Sequence, residues 1–291
     1  MTTVTIGGRA VGPGQTAWIV AEIGINHNGS VELATQLIAA AAAAGCHAVK
    51  FQKRTVERVY SAEALAEPRE SPFGATNGDL KRGLEFGHDD YLAIDAACRA
   101  AGLPWFASCW DEASVDFIER FDPPCYKIAS PSLTDHALLE RHRRTGRPLL
   151  LSTGMSTLEE IDAAVAILSR DQLVLMHCTS TYPSRTAELN LRMIPVLQQR
   201  YRVPVGYSGH EVGLTTTVAA VVVGAAVVER HLTLDRAMWG SDQAASVEPQ
   251  GFTRLVKDIH AVELALGDGV KRVYASEVAT MRKLRRVGLK P

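Results

Sequence analysis

The chain has 291 residues, 46% of them hydrophobic, which is enough to fill a sizeable globular core. Lysine and arginine total 31 against 32 for aspartate and glutamate, so the formal net charge is −1. Because basic residues are not in excess, the composition argues against nucleic-acid binding, and any bound anion needs a local site.

An N-terminal β-hairpin is predicted within residues 1–15, where VTIGGRAVG supplies two short strands around a Gly-Gly turn. β-rich runs then alternate with segments of helical period, which is typical of βα units and a parallel sheet. The predicted strands are Trp18–Gly24, Ala48–Gln52, Trp105–Cys109, Tyr126–Ser130, Leu149–Thr153, Leu173–Cys178, Val205–Ser208 and Val227–Leu232. Eight such units in one domain, 1–291, favour an α/β fold of the closed (β/α)8 TIM-barrel type over an open doubly wound sheet. No GxGxxG follows the first strand, which weakens a dinucleotide-binding interpretation.

Two segments differ from this repeat. Residues 54–88 are longer than an ordinary βα connection and contain several Pro and Gly residues. We expect them to form a long active-site loop, acting as a lid or binding loop, with a partly disordered insertion as the alternative. Residues 268–291 form a basic C-terminal tail, which we expect to be a solvated final helix or strap without a ligand.

The sequence also bears on the cellular compartment. Its apolar runs at 38–44 and 218–228 are shorter than the roughly 20 residues of a membrane span, and the N-terminus does not resemble a signal peptide. Among the five cysteines no CxxC pair occurs, and most lie in apolar runs, as is typical of buried thiols in a reducing compartment. We expect a cytoplasmic protein without a membrane partner; the cysteines are Cys46, Cys98, Cys109, Cys125 and Cys178.

Polar residues lie at the ends of nearly all predicted strands, where catalytic groups gather in a (β/α)8 barrel. Period-two alternation places Lys50 with Gln52, Ser208 with His210, and Glu229 with His231 on the same side of their strands. We expect them to face the barrel mouth. The other strand-end residues are Glu22, Lys127, Ser130, Ser152, His177, Thr179, Ser180 and Tyr182.

Two of these residues, His210 and His231, indicate a metal site. A lone histidine is more often a hydrogen-bonded core residue, but two histidines that end adjacent strands beside ionisable partners favour metal binding. Two imidazoles with open coordination positions suit a Lewis acid better than a closed structural zinc. Cys109 and Cys178 could add soft ligands, but their apolar surroundings predict core positions.

The strand-end lysines indicate an anionic ligand. Lys50 and Lys127 are costly to desolvate without a counter-anion. Together with hydroxyls from Ser130, Ser152 and Ser208, they match a molecule that carries a phosphate and a carboxylate. Each serine taken singly is as well explained by an ordinary strand-end hydrogen bond.

The segments AEIGINHNG, VKFQK, YKIAS, LSTGM, HCTSTYP, GYSGH and ERHLT resemble, in order, the motifs of N-acetylneuraminate (sialic acid) synthases. The later segment MWGSDQAASVEP also fits. This resemblance implies an enzyme that condenses phosphoenolpyruvate with an N-acylated aldose, such as N-acetylmannosamine, to give a nine-carbon 2-keto-3-deoxy sugar acid and phosphate. It further implies a divalent cation, commonly Mn²⁺ with Mg²⁺ or Co²⁺ as alternatives, and a homodimer.

The same resemblance implies roles for individual residues. His210 and His231 would be the metal ligands, and Glu22 would transfer a proton beside the metal, which makes these three the expected catalytic residues. The cation would polarise the aldehyde for attack by C3 of phosphoenolpyruvate, and water would then add at C2 before phosphate leaves. Phosphoenolpyruvate would be held by Lys50, Lys127, Ser130, Ser152, Ser180 and Ser208, and the sugar by Gln52, Tyr182 and Asp242.

Three departures from the family pattern bear on the acceptor. Ser180 stands where the family often has Asn, and Ser132 stands where several members have a sugar-binding Glu. Many relatives also continue into an antifreeze-like domain, whereas this chain ends at Pro291. We therefore expect sugar recognition to be completed within the barrel, for example by residues 54–88, or the acceptor to differ.

Other functions stay open. A related 3-deoxy-2-ketoacid synthase would use another aldose or an aldose phosphate. A Schiff-base aldolase would use Lys127 as its nucleophile but leaves the two histidines unexplained. A non-catalytic barrel that only binds a ligand would not require the two histidines and the two strand-end lysines all at once.

Overall fold

The computed structural model describes residues 2–288, so residue 1 and residues 289–291 of the predicted hairpin and tail segments lie outside the described residues. The strands are β1 Val4–Ile6, β2 Arg9–Val11, β3 Trp18–Gly24, β4 Ala48–Lys53, β5 Pro68–Ser71, β6 Gly74–Thr76, β7 Trp105–Cys109, β8 Tyr126–Ile128, β9 Leu149–Ser152, β10 Leu173–Cys178, β11 Val205–Gly209 and β12 Val227–His231. The helices are α1 Val31–Ala43, α2 Val56–Val59, α3 Ala62–Ala66, α4 Asn77–Leu84, α5 His88–Ala101, α6 Glu112–Glu119, α7 His136–Arg143, α8 Leu158–Leu168, α9 Met193–Tyr201, α10 Thr215–Val222, α11 Pro249–Leu266 and α12 Val278–Leu284.

Strands β3, β4 and β7 to β12 form a closed barrel of parallel strands whose neighbours follow chain order, and β12 pairs with β3 to close it. The prediction of a (β/α)8 TIM barrel is confirmed. The fourth barrel strand ends at Ile128 instead of the predicted Ser130, because Ser130–Ser132 forms a 3₁₀ turn around Pro131. Proline has no N–H for the ladder, so a strand tends to end beside it.

The inward-facing residues of the barrel strands change from apolar to polar towards the carboxyl end. On β3 they run from Trp18 and Val20, which belong to an apolar cluster, to Glu22, which lines a cavity at the carboxyl end. On β12 they run from Val227 to Glu229 in the same way. The amino half of the barrel is thus an apolar core, which supports a polar carboxyl half.

The predicted N-terminal hairpin is confirmed. Strands β1 and β2 pair antiparallel, with Val4 opposite Val11. Val4, Ile6 and Val11 are buried in the same cluster as Trp18 and the other inward residues of the amino half of the barrel. The hairpin therefore covers the end of the barrel that lies opposite the polar strand ends.

The interpretation of residues 54–88 as a long loop is wrong. This segment contains α2, α3, the antiparallel β5–β6 hairpin and α4, and we call it the insertion. Thr76 and Asp79 form a capping box that begins α4. The elements were not recognised because α2 and α3 are only four and five residues long, too short for a helical period.

The described part of the C-terminal tail contains one short helical segment, in which the 3₁₀ turn Ala275–Glu277 leads into α12, none of whose residues is buried. All five cysteines are buried and free, as the sequence predicts. No helix within residues 2–288 has the length and apolar character needed to cross a membrane.

Candidate active site

A cavity of about 270 Å³ lies at the carboxyl ends of the barrel strands. Every predicted site residue except Asp242 lines it: Glu22, Lys50, Gln52, Lys127, Ser130, Ser152, Ser180, Tyr182, Ser208, His210 and His231. His177 and Thr179 do not line it; the imidazole of His177 instead hydrogen-bonds the carbonyl oxygen of Leu189 at 2.7 Å. Strand alternation therefore brings together side chains that are far apart in the sequence.

An ionic cluster occupies the floor of the cavity. Nζ of Lys50 lies 3.0 Å from Oε2 of Glu22 and 3.5 Å from Oε1 of Glu229, and it donates a hydrogen bond to Oγ of Ser108 at 3.0 Å. All four side chains are buried. One ammonium group thus lies between two carboxylates, which fixes its position but leaves the carboxylates incompletely neutralised.

The pKa values of the two carboxyl groups are shifted in opposite directions. Burial raises the pKa of Glu22 to about 7, although Lys50 opposes this shift. Burial would raise the pKa of Glu229 too, but attraction to Lys50 and Lys127 outweighs burial and holds it at about 2. Glu229 is therefore ionised at neutral pH, whereas Glu22 can gain or lose a proton there. Such a pair of environments is typical of an acid–base site.

A second group of donors lies around Lys127, the other buried lysine. Its Nζ donates to Oγ of Ser152, and burial lowers its pKa more than attraction to Glu229 raises it. No carboxylate within residues 2–288 lies within salt-bridge distance of this ammonium. It is the least compensated charge of the cavity, as expected of a group that binds an anion.

The backbone beside Lys127 leaves room for that anion. A Cβ built on Gly154 would come within 2.2 Å of Oγ of Ser180 and 2.8 Å of Oγ of Ser130. Cys178, which the sequence predicts as a core residue, lines the cavity here, with Sγ 3.2 Å from Oγ of Ser130. Only a glycine at position 154 keeps this cradle of hydroxyl groups open.

The two predicted metal-binding imidazoles lie at the carboxyl ends of adjacent strands, since His210 directly follows β11 and His231 ends β12, and their ring centroids are 5.6 Å apart. Nδ1 of His210 donates to the carbonyl oxygen of Thr179 at 2.8 Å, which leaves the lone pair of Nε2 for a ligand. Nδ1 of His231 is buried without a hydrogen-bond partner and lies 3.8 Å from Oδ2 of Asp242. Burial lowers the pKa of both histidines, that of His210 to about 4, so both are neutral at pH 7, as metal ligands must be.

These residues fit a divalent cation as an open site. Within residues 2–288 no group of three or more His, Cys, Asp or Glu side chains is arranged to hold a metal ion. The protein would therefore supply two imidazoles and leave the other positions to water and substrate oxygens. Asp242, predicted as a sugar contact, lies next to His231 but is not among the residues that line the cavity.

Tyr182 lies at the rim of the cavity and is half exposed. Its ring is 4.1 Å from that of His210 and 5.7 Å from that of His231. A phenol at this position can contact a ligand that extends from the imidazoles towards solvent. The placement agrees with the predicted sugar contact without testing it.

Some cavity residues were not among the predicted site residues. Ser108 continues the inward alternation of β7, whereas Trp110 follows β7 and Met155 follows the short strand β9. The alternation that identified Lys50 and Gln52 would have identified Ser108, whereas Trp110 and Met155 lie beyond their strands. Their orientation depends on loop geometry, which alternation does not predict.

The insertion does not line this cavity, contrary to the expectation of an active-site loop. It instead contributes Arg69, Glu70 and Lys81 to a neighbouring cavity of about 310 Å³, which Trp239 and Asn28 also line. Its connection to the main cavity is indirect and passes through Arg54, its first residue.

A (β/α)8 barrel whose strand ends bring buried lysines, carboxylates and neutral imidazoles into one cavity is a barrel enzyme. The chain belongs to the NeuB family, whose profile matches residues 37–271. It is 37% identical over 282 residues to the N-acetylneuraminate-9-phosphate synthase of Mus musculus, a match that covers 95% of this chain and 79% of that protein. Identity to the N,N'-diacetyllegionaminic acid synthase of Legionella pneumophila is 33% over 290 residues, covering 94% and 80%.

Solved structures agree with this assignment. The chain is similar to the N-acetylneuraminic acid (sialic acid) synthetase of Leptospira borgpetersenii, with a TM-score of 0.86 and 29% identity over 98% of both chains. The family resemblance drawn from the motifs and the expectation of an enzyme are both confirmed. The relatives differ in the sugar acid that their names specify.

Proposed function

We propose that this chain condenses phosphoenolpyruvate with an N-acylated aldose, giving a nine-carbon 2-keto-3-deoxy sugar acid and phosphate. The observation that carries the proposal is the convergence of Lys50, Lys127, His210 and His231 on one cavity beside two carboxylates of opposite proton affinity. The names of its relatives support a sugar-acid product. Whether the acceptor is phosphorylated is left to experiment.

The phosphoenolpyruvate end of the cavity is assigned to the donors around Lys127. Its ammonium and the hydroxyls of Ser130, Ser152 and Ser180 match phosphate oxygens in charge and donor number. Lys50 faces the carboxylate or the reacting C2. Two lysines and a cradle of hydroxyl groups would hold the trianion and exclude water from its phosphate.

The acceptor end is assigned to the side of the cavity with Gln52, Tyr182 and the two imidazoles. His210 and His231 would hold a divalent cation, most simply Mn²⁺, which supplies Lewis acidity to a carbonyl oxygen when bound. Asp242 lies near this site, with Oδ2 3.8 Å from Nδ1 of His231, a distance from which it could orient the imidazole once the cation is bound. Tyr182 packs against His210 and limits the directions from which an aldose can approach.

The bond changes constrain the proton transfers. The C2=C3 electrons of phosphoenolpyruvate form the new bond to the aldehyde carbon, whose oxygen takes a proton, and water adds to the electron-poor C2. Phosphate then leaves with the C2–O bond pair and takes the remaining proton of the added hydroxyl, whose oxygen becomes the ketone. Glu22, with a pKa of about 7, accepts the proton of the attacking water at a carboxylate oxygen, while ionised Glu229 stabilises positive charge at C2.

Phosphate release from phosphoenolpyruvate under a panel of acceptors tests the proposal. The panel contains N-acetylmannosamine, its 6-phosphate, mannose and arabinose 5-phosphate, each with added Mn²⁺, and products are identified by mass. We expect acceptor-dependent release with an N-acylated hexosamine and none from Lys127→Met. Release with none of the acceptors would favour a binding role, and preference for arabinose 5-phosphate would favour another 3-deoxy-2-ketoacid synthase.

One observation favours a second candidate, a Schiff-base aldolase. Burial lowers the pKa of Lys127, which would make its amine more nucleophilic. Borohydride reduction in the presence of a keto acid would then add a stable mass to the protein at Lys127. We expect no such adduct, because an aldolase of this type does not require His210 and His231.

A further inference from the structure

Arg54, the first residue of the insertion, is a buried arginine that directly follows β4 and its cavity residues Lys50 and Gln52. Its guanidinium touches both the cavity wall and the insertion. The side chain is 6% exposed, although it belongs to a segment that does not line the cavity. Burying a cation costs free energy, so its presence in this position requires a structural or functional explanation.

On the cavity side, Arg54 determines the orientation of Gln52. Nη2 of Arg54 donates to Oε1 of Gln52, and Nε2 of Gln52 donates to Oε1 of Glu22 at 3.0 Å. Because a guanidinium has no acceptor and a carboxylate has no donor, the amide can satisfy both neighbours in only one of its two orientations. Gly24 leaves the space for this contact, since a Cβ there would lie 2.9 Å from Oε1 of Glu22.

Arg54 also packs against the other cavity residue on this side. Its guanidinium carbon lies 4.7 Å from the centre of the Trp110 ring, in a cation–π arrangement. Trp110 lines the cavity, as Gln52 does, and follows β7 in a loop, with its Nε1 buried and without a hydrogen-bond partner. The side chain of Arg54 thus restrains both the amide of Gln52 and the ring of Trp110, at the end of the cavity assigned to the acceptor.

On the other side, Arg54 is attached to the insertion. Its Nε lies 2.8 Å from Oε1 of Glu85, its backbone N–H donates to Oε2 of the same residue at 3.1 Å, and Nη1 donates to the hydroxyl of Tyr60 at 2.9 Å. Glu85 directly follows α4, so this ion pair joins the two ends of the insertion. These contacts with the insertion fix the position of the guanidinium independently of its contacts with the cavity residues.

We propose that Arg54 is a positioning residue for the acceptor: it fixes the amide of Gln52 and the ring of Trp110 and so determines acceptor specificity. This inference rests on the proposed function. The insertion contributes to catalysis through this one buried side chain, without forming part of the cavity wall.

Arg54→Lys is the first test. A lysine retains the charge next to Glu85, but it cannot donate in several fixed directions or stack on the indole. We expect kcat/KM for the acceptor to fall about 10-fold to 100-fold, the effect of losing a charge-assisted hydrogen bond. KM for phosphoenolpyruvate should stay within about twofold, because the donors around Lys127 are untouched. Arg82→Lys, in an exposed arginine of the same insertion, is the control and should change neither constant.

A double-mutant cycle with Gln52→Ala separates positioning from a general structural role. Because Arg54 contacts both Gln52 and Trp110, the effect of Arg54→Lys on acceptor kcat/KM should shrink several-fold in the Gln52→Ala background, and the remaining effect reports the contact with Trp110. Full additivity, or an equal loss for phosphoenolpyruvate, overturns the inference. If Arg54→Lys does not fold, Glu85→Gln, which loosens Arg54 from the side away from the cavity, takes its place with the same expected split. Wild-type protein without activity on any acceptor would instead refute the proposed function.

Discussion

Replacing Lys127 by methionine should stabilise the protein while it abolishes activity. This ammonium is buried, its pKa is lowered by burial despite the attraction of Glu229, and its hydrogen-bonding partner is the neutral Ser152. A lowered lysine pKa means that the folded state disfavours the charge, so an apolar side chain of similar length removes a cost. Replacement of buried charges by apolar groups stabilises proteins by up to about 1 to 4 kcal/mol, and we expect a gain within that range.

Lys50→Met is the matched variant for which we expect the opposite change in stability. Lys50 lies within salt-bridge distance of both Glu22 and Glu229, and its loss leaves two buried carboxylates without their nearest counter-charge. Breaking a buried ion pair typically costs about 3 to 5 kcal/mol. The two lysines line the same cavity, yet their substitutions should change stability in opposite directions.

Urea unfolding at pH 7.5, with and without phosphoenolpyruvate, measures both effects. Wild-type protein should gain about 2.7 kcal/mol when the ligand is present at 100 times its Kd, whereas Lys127→Met should gain nothing. Lys257→Met, at an exposed position on α11, is the control and should stay within about 0.5 kcal/mol. Destabilisation by Lys127→Met of more than about 1 kcal/mol would refute the reasoning that its charge is uncompensated.

Three further predictions concern separate features. His210→Ala should weaken Mn²⁺ binding, measured by calorimetry, at least about 100-fold, and unchanged affinity would exclude this imidazole as a ligand. His142 is buried with its pKa lowered to about 4. Below about pH 6.5 the imidazole of His142 binds a proton in the unfolded chain but not in the folded chain. The free energy of unfolding should therefore fall by about 3 kcal/mol between pH 6.5 and 4. His142→Leu should remove that loss in urea titrations. Glu211→Gln leaves Arg230 buried without its 3.2 Å counter-charge and should cost about 3 to 5 kcal/mol in thermal or urea unfolding, whereas Asp162→Asn, in an exposed ion pair that solvent screens, should cost much less than Glu211→Gln.

The barrel and the core of the site could be predicted from sequence because both follow from strand alternation. An inward residue of a parallel strand is two positions from the next, so Lys50 and Gln52, or Glu229 and His231, are brought to one cavity by the backbone alone. Features that depend on connections were missed. Trp110 lies in a loop, and the first two helices of the insertion, α2 and α3, are too short to show a period.

The position of Asp242 depends on a connection as well. It follows β12 in the long connection between Leu232 and α11, in which Ser246 and Gln243 hydrogen-bond neighbouring groups. This loop brings Oδ2 of Asp242 to 3.8 Å from Nδ1 of His231, and Asp242 is not among the residues that line the cavity. A loop of irregular hydrogen bonds offers no sequence signal for this placement, and the sugar contact of Asp242 stays a prediction.

The charges of the cavity would allow it to bind both proposed partners at once. Lys50 and Lys127 together balance Glu22 and Glu229, so the protein brings no net charge to the site when both carboxylates are ionised. A phosphoenolpyruvate trianion and a divalent cation would add nearly equal and opposite charges, and the pKa of Glu22 near 7 allows one proton to be taken up or released as they enter. Either partner alone would leave several uncompensated charges in a buried space, which is costly. The cation and the donor substrate should therefore bind cooperatively, since each lowers the electrostatic cost of burying the other.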